Sequence, residues 1–318
     1  KNNDFNKSGN LGIVFLSNHC RISQKFQDHL VDLKSMIDST ENDFFVVSPN
    51  KESAIDPDDL AYSDLGDSFL EMKTRAKYRN FNFPYLYDGE RQELTNALHV
   101  KVTPSAFVFN KNRKLTYFGR IGGHDEINDI KELDFYKALM RNNLETTLIK
   151  TPVYGSKVKV ADDIKTTEAK LKRYSKETVK LSVLEKRNID FIKRIQIGKL
   201  KLIYIWANND KEKRDNLIAI SNIHKIYRKR GLAVITVCVE SSENANLIRN
   251  ELEKAQVSAF NFLVEGQDFS PLTSFVPDSV RSITPLCVLV DKQKVIHHQT
   301  GKVQNHILRR KIVDFLDP

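Results

Sequence analysis

Three cysteines in 318 residues are few, and no two of Cys20, Cys238 and Cys287 stand close together. That spacing excludes a disulfide-stapled scaffold and a zinc-ligand pattern. Long apolar runs are missing too, since none approaches the roughly 18 residues of a membrane-spanning helix. No glycine-rich phosphate loop is present. The run "GRIGG" follows an expected strand but leads into acidic and polar residues, and makes a weak phosphate site. No signal peptide is visible, and the chain opens on Lys1 rather than Met, which fits removal of a leader. What the chain does have is core material. It is 40% hydrophobic, with 10 Tyr and 18 Phe, and 29% charged, so it reads as folded rather than disordered. At this length two domains of ordinary size are expected.

The net charge is +9. Lys and Arg are spread along the chain, with dense spots at "KLKRYSK" and "HKIYRKR" that are expected to be solvated helix faces. No nucleic-acid motif surrounds them, so no specific nucleic acid is expected. The charge remains compatible with an acidic protein partner or with peripheral contact to an anionic surface.

Read in order, "LGIVFLS" predicts a buried strand. "RISQKFQDHLVDLKSMID" predicts one helix, with Ile22, Phe26, Leu30, Leu33 and Ile37 on a face. "DFFVVSPN" is a second strand, 51–66 an acidic loop, "SFLEMKTRAKYRN" a helix and "FPYL" the entry to a turn. "RQELTNALHV" is helical, "TPSAFVFNKNRKLTYFG" a strand–turn–strand, and "ELDFYKALMRNNLE" the closing helix. The same order returns: strand "LKLIYIWA", helix "DNLIAISNIHKIYRKR", strand "GLAVITVCVE", helix "NANLIRNELEKA", hairpin "TPLCVLVDKQKVIHH" and helix "HILRRKIVDFL". The chain is therefore an internal repeat in which Cys20 corresponds to Asp210 and Pro104 to Pro285. Alternating strands and helices predict an α/β fold, each half a central mixed sheet flanked by helices. The expected division is a flexible arm at 1–10, a first domain at 11–160, a strandless helical connector at 161–197 and a second domain at 198–318.

Both halves resemble thioredoxin-fold domains. The first reads "SNHCR", "SPN" at 48–50, "DSFLEMKTRAKYRNFNFPYLYD" at 67–88, "TPSAFVFN" and "YFGRIGG". Those segments, over about residues 11–160, resemble the redoxin (AhpC/TSA) family of thioredoxin-like proteins, whose turn reads "CNHCP". The second half, about 190–318, is similar to TlpA/ResA-type domains. That likeness rests on the Trp206 frame, the Thr284–Pro285 pair and the order of elements. The resemblance implies cis-proline loops at Thr103–Pro104 and Thr284–Pro285. It also implies redox cysteines that this chain has lost. Asp210 and Lys213 stand at the two cysteine positions of the second half. In the first, Cys20 survives alone. Ser17 stands at the upstream cysteine of the family turn, Ser23 three residues on, Arg21 at the proline, and Ser156 at the family's late cysteine.

A reactive thiol needs a lowered pKa, access to solvent and, for exchange, a second thiol. Asp210 and Lys213 cannot exchange disulfides. Asp210 is expected as an ordinary residue of the helix start and Lys213 as solvated. Cys20 is open to two readings. It is a relic, or it is a one-cysteine thiol oxidoreductase or peroxidase centre assisted by Ser17, Arg21 and Ser23. His19 beside it is not read as a metal ligand, and of the paired His297 and His298 only one can face inward along a strand. Cys238 and Cys287 are expected in strand interiors. No metal and no cofactor are expected. The first expectation for function is a pseudo-thioredoxin: a non-catalytic binding or scaffolding subunit holding protein partners, in a larger bacterial envelope assembly. The expected compartment is the periplasm, with the cytoplasm as alternative. The second is the Cys20 enzyme, and the third a basic adaptor for anionic surfaces.

Overall fold

The computed structural model describes residues 8–123, 129–185, 192, 200–265, 276, 278–280, 283–292 and 294–316. Two compact units emerge. One comprises Lys1–Ile55 with Leu65–Thr167, the other Asp56–Asp64 with Glu168–Pro318. The arm expected at 1–10 lies mostly outside the described residues, as does most of 186–199.

In the first unit, β1 (Leu11–Phe15) leads into α1 (Arg21–Lys25) and α2 (Gln27–Ile37), then β2 (Asp43–Ser48), α3 (Phe69–Tyr78), β3 (Tyr85–Tyr87) and α4 (Glu93–Ala97). After these come β4 (Val102–Thr103), β5 (Ser105–Phe109), β6 (Leu115–Gly119), α5 (Asp134–Leu139), β7 (Ile149–Lys150), β8 (Ser156–Lys157) and the start of α6 (Ile164–Tyr174). The sheet order is β3-β2-β1-β5-β6-β7, with β4 and β8 forming a separate pair. β1 runs parallel to β2 and antiparallel to β5. Alternate residues of β1 feed two cores. Val14 packs with Leu30, Leu33, Ile37 and Phe135 on one face, and Ile13 and Phe15 with Phe45, Val47 and Phe107 on the other. Burial on both faces explains why these strands read as continuous apolar runs rather than alternating ones.

The second unit repeats the plan with β9 (Leu181–Val183), β10 (Leu200–Trp206), α7 (Lys213–Tyr227), β11 (Leu232–Val239), α8 (Ala245–Lys254), β12 (Phe260–Val264), β13 (Leu286–Asp291), β14 (Lys294–Thr300) and α9 (Asn305–Leu316). Its order is β14-β13-β10-β11-β12-β9. β10 is parallel to β11 and antiparallel to β13, as β1 is to its neighbours. Leu202, Tyr204 and Trp206 face one core with Leu217, Ile220 and Leu308, while Ile203 and Ile205 face the other with Ile235 and Val237. The α/β expectation holds in both units, each a mixed sheet flanked by helices with the thioredoxin-like strand arrangement.

Three local expectations are corrected. The single helix from Arg21 breaks at Phe26, whose backbone (φ −94°, ψ −3°) separates α1 from α2. "FPYL" enters a strand, β3, parallel to β2. The connector is not strandless, because Leu181–Val183 pairs in parallel with β12 and Lys180 O accepts from Asn261 Nδ2 at 3.0 Å. The acidic loop at 51–66 carries only two short 3-10 turns, Glu52–Ala54 and Asp59–Tyr62, and is anchored. Asp56–Asp64 belongs to the second unit, where Leu60 packs on the core and the Ser63 carbonyl accepts from the Tyr227 hydroxyl (2.5 Å) and Arg309 (3.2 Å).

That acidic segment also accounts for part of the basic charge. Lys170 bridges Asp56 (2.7 Å) and Asp58 (2.9 Å), Lys229 meets Asp58 (2.8 Å), and Arg310 meets Asp64 (2.9 Å). Arg228 pairs with Glu177 at 2.6 Å, and Arg230 lies 3.9 Å over the Tyr62 ring. Within the "HKIYRKR" run, Arg228, Lys229 and Arg230 thus have specific partners, although Lys229 stays largely exposed. Burial pushes the Asp58 carboxyl up, but Lys229 and Lys170 outweigh it and hold the group down at about 2.

Candidate functional site

The first unit's site forms where β1 ends. Asn18 and His19 turn the chain, and Cys20, in extended conformation, caps α1 by accepting from Ser23 N at 3.4 Å. The Cys20 thiol donates to the Thr103 carbonyl at 3.0 Å, and the Ser17 and Thr103 hydroxyls share a bond of 2.7 Å. Thr103–Pro104 is cis. Thr103 lies on β4, opposite Ser156 on β8. That pairing sets Ser156 beside Cys20, whose thiol pKa it lowers.

Gly155 permits that approach. Its φ is +145°, and a Cβ there would stand 2.0 Å from the Thr103 carbonyl oxygen. Asn50 and Gln92 pin the strand that follows: Asn50 Oδ1 accepts from Lys159 N at 2.8 Å, and Gln92 Nε2 donates to Lys159 O at 2.9 Å. The turn before Cys20 is held by Asp67. This buried carboxylate accepts from Asn18 N (2.5 Å), from Asn50 Nδ2 (3.1 Å) and from the His19 ring at Nδ1. A buried carboxylate needs such donors, so the hub ties α3's leading segment to the turn. His19 is a structural partner of Asp67. Among the described residues no group of three or more His, Cys, Asp and Glu is placed to hold a metal ion.

Cys20 is 0% exposed. Burial pushes its thiol up, while hydrogen bonds from Ser156 and Ser23 pull it down, and the net direction is below the ordinary thiol value. The pull comes from those serines, and Arg21, one of the assisting residues of the enzyme reading, is not among its causes. Ser17, Ser23 and Ser156 are brought together around Cys20. Cys238 and Cys287 lie in strands as expected, buried, and burial pushes both thiols up, Cys287 to about 12. Of the two histidines on β14, His297 is half-buried and His298 exposed.

The second unit's site occupies the matching place. Asp210 sits in the turn before α7. Its carboxylate accepts from Ala207 N at 2.7 Å and from the Thr284 hydroxyl at 3.1 Å, and Thr284–Pro285 is cis. Asp210 therefore ties the strand end to the cis-proline loop instead of capping the helix. Lys213 is not solvated as expected. It donates to the Asn208 carbonyl at 2.7 Å and lies 3.7 Å from Glu251, with its side chain 23% exposed.

Sequence reasoning passed over Asp67 and Gly155. Asp67 reaches back to Asn18 and His19 across 48 residues or more, a distance no local spacing reveals. The glycine just before Ser156 in "TPVYGSKV" was a local signal for Gly155.

No family model matches the chain, and no curated protein matches. Among solved structures, a hypothetical protein from Sinorhizobium meliloti 1021 is 20% identical, covering 50% of this chain and 84% of that one (TM-score 0.40). An uncharacterized conserved protein from Geobacillus kaustophilus is 24% identical, covering 48% and 78% (TM-score 0.38). A putative thiol:disulfide interchange protein DsbE from Chlorobium tepidum is 19% identical, covering 38% and 82% (TM-score 0.31). Each is a partial likeness of fold.

Proposed function

We propose that the chain is a pseudo-thioredoxin, a non-catalytic binding or scaffolding subunit. One observation carries this reading: neither helix start offers a sulfur to solvent. Cys20 is buried with its S–H given to Thr103 O, and Asp210 occupies the equivalent place with its carboxylate bound to Thr284 and Ala207. A thiolate that cannot be reached neither attacks a disulfide nor meets a peroxide. The envelope setting, and a larger assembly as partner, follow from the motif resemblance of the first half. No helix among the described residues is long and apolar enough to cross a membrane.

The test is turnover. The full chain is expected to reduce insulin disulfides and hydrogen peroxide no faster than Cys20→Ser. Turnover that disappears in Cys20→Ser would replace this reading with the one-cysteine enzyme, which the lowered thiol pKa favours.

A further inference from the structure

α6 turns one stripe inward and leaves the opposite side bare. Thr167 and Tyr174 are buried. Between them Lys170 reaches Asp56 (2.7 Å) and Asp58 (2.9 Å). The Tyr174 hydroxyl donates to Asp58 at 3.3 Å, and the Arg228 guanidinium lies 5.0 Å over its ring. The C-terminal half of the helix is thus pinned. Away from that stripe, Ala169, Lys172, Arg173 and Lys176 stand at i, i+3, i+4 and i+7, the spacing of one helical face. Ser175 N donates to Leu171 O at 2.9 Å and Lys176 N to Arg173 O at 3.1 Å, which carries the turn on to Lys176. All four residues are exposed, and Leu171 at their flank is 46% exposed. Among the described residues, Lys172, Arg173 and Lys176 have no ion-pair partner, whereas Lys170 in the same run has two. Three uncompensated cations therefore share one pinned surface.

We propose that this face of α6 is a docking strip for an acidic segment of a partner protein, with carboxylates on Lys172, Arg173 and Lys176 and an apolar residue against Leu171. The proposal rests on reading the chain as a binding module and gives the partner its chemistry. Like charges gathered within two helical turns set up a positive local field, and carboxylates meet it with complementary charge. The small side chain of Ala169 leaves room for a partner backbone to come close. Carboxylates of the chain itself border the strip. Glu168 is exposed on the turn before it, and Asp58 stands beside Lys170. A narrow acidic segment follows the cations and misses these groups, whereas a broad anionic bilayer presses on both.

The test titrates the full chain into a fluorescein-labelled peptide of glutamates around one leucine, followed by fluorescence anisotropy. A second peptide has glutamine in place of every glutamate. The acidic peptide is expected to bind, with the glutamine peptide weaker by about tenfold. Lys172→Gln combined with Lys176→Gln is expected to weaken the acidic peptide by about fivefold. Lys111→Gln combined with Lys114→Gln, in the turn between β5 and β6, removes the same net charge and should bind like the parent. All four lysines are exposed, so both variants should keep the parent's circular dichroism. No binding of the acidic peptide, equal binding of the two peptides, or equal losses in the two lysine variants would overturn the proposal. So would binding to phosphatidylglycerol vesicles in place of the peptide. Turnover through Cys20 alongside peptide binding that the Lys172 and Lys176 variant loses would remove the non-catalytic reading and leave the strip standing.

Discussion

The two helix starts solve one structural problem with different atoms. In the first unit a buried sulfur and a hydroxyl, Cys20 and Ser17, bond to Thr103 beside its cis peptide. In the second a carboxylate, Asp210, takes the Thr284 hydroxyl and a backbone N–H from the strand end. Both tie a turn to a cis-proline loop. The difference teaches that the loop needs a partner at this place but not a thiol. In both units the partner is a hydrogen-bonding side chain, a thiol in one and a carboxylate in the other.

The largest expected effect comes from closing the space that the first site depends on. Gly155→Val places a branched side chain at φ +145° and against the Thr103 carbonyl. It should destabilise the first unit by about 3 kcal/mol or more and speed Cys20 alkylation, as thermal melts and thiol labelling would show. An unchanged melt would mean that the β4–β8 approach is not required.

Next is the second unit's tie. Asp210→Ala leaves the Ala207 N–H and the Thr284 hydroxyl without their acceptor, and should cost about 1–2 kcal/mol in a denaturant titration. Cys20→Ser, which keeps a hydrogen-bonding group, should cost less. The reverse order would break the equivalence of the two sites.

A second thiol can be placed beside Cys20. Ser23 N donates to the Cys20 sulfur at 3.4 Å, so Ser23→Cys should form a disulfide with Cys20 under oxidant, seen as loss of free thiol. The disulfide would leave two free thiols, Cys238 and Cys287, and a count of four would show that positions 20 and 23 are not placed to bond.

The smallest effect is electrostatic. Asp58 is depressed to about 2, so its contribution is present above the unfolded value of roughly 3.9 and is lost as pH falls through about 2. Asp58→Asn should lower stability at pH 7 by about 1 kcal/mol, with little difference from the parent near pH 2. A difference that persists in strong acid would assign the loss to packing.

Much of this was legible in the sequence because it is local. The strand "LKLIYIWA", the Thr–Pro pairs and the repeat order rest on apolar runs and on neighbouring residues. Asp67, Gly155 and the excursion of Asp56–Asp64 were not, because their partners lie far along the chain: Asp64 meets Arg310, and Ser63 meets Arg309. The lysines failed for the opposite reason. Their charge was read as solvated, yet Lys213 and Lys229 have specific acceptors. The strand Leu181–Val183 is only three residues long, too short for its period to show.

On the proposed reading Cys20 is limited by access and not by thiolate supply, since its thiol is buried while its pKa is lowered. The direct measurement is the alkylation rate of Cys20 against pH in the native chain, with Cys20→Ser as background. A rate far below that of the unfolded chain at every pH, rising when denaturant opens the fold, is the predicted result. Fast native alkylation with a midpoint below the ordinary thiol value would contradict it.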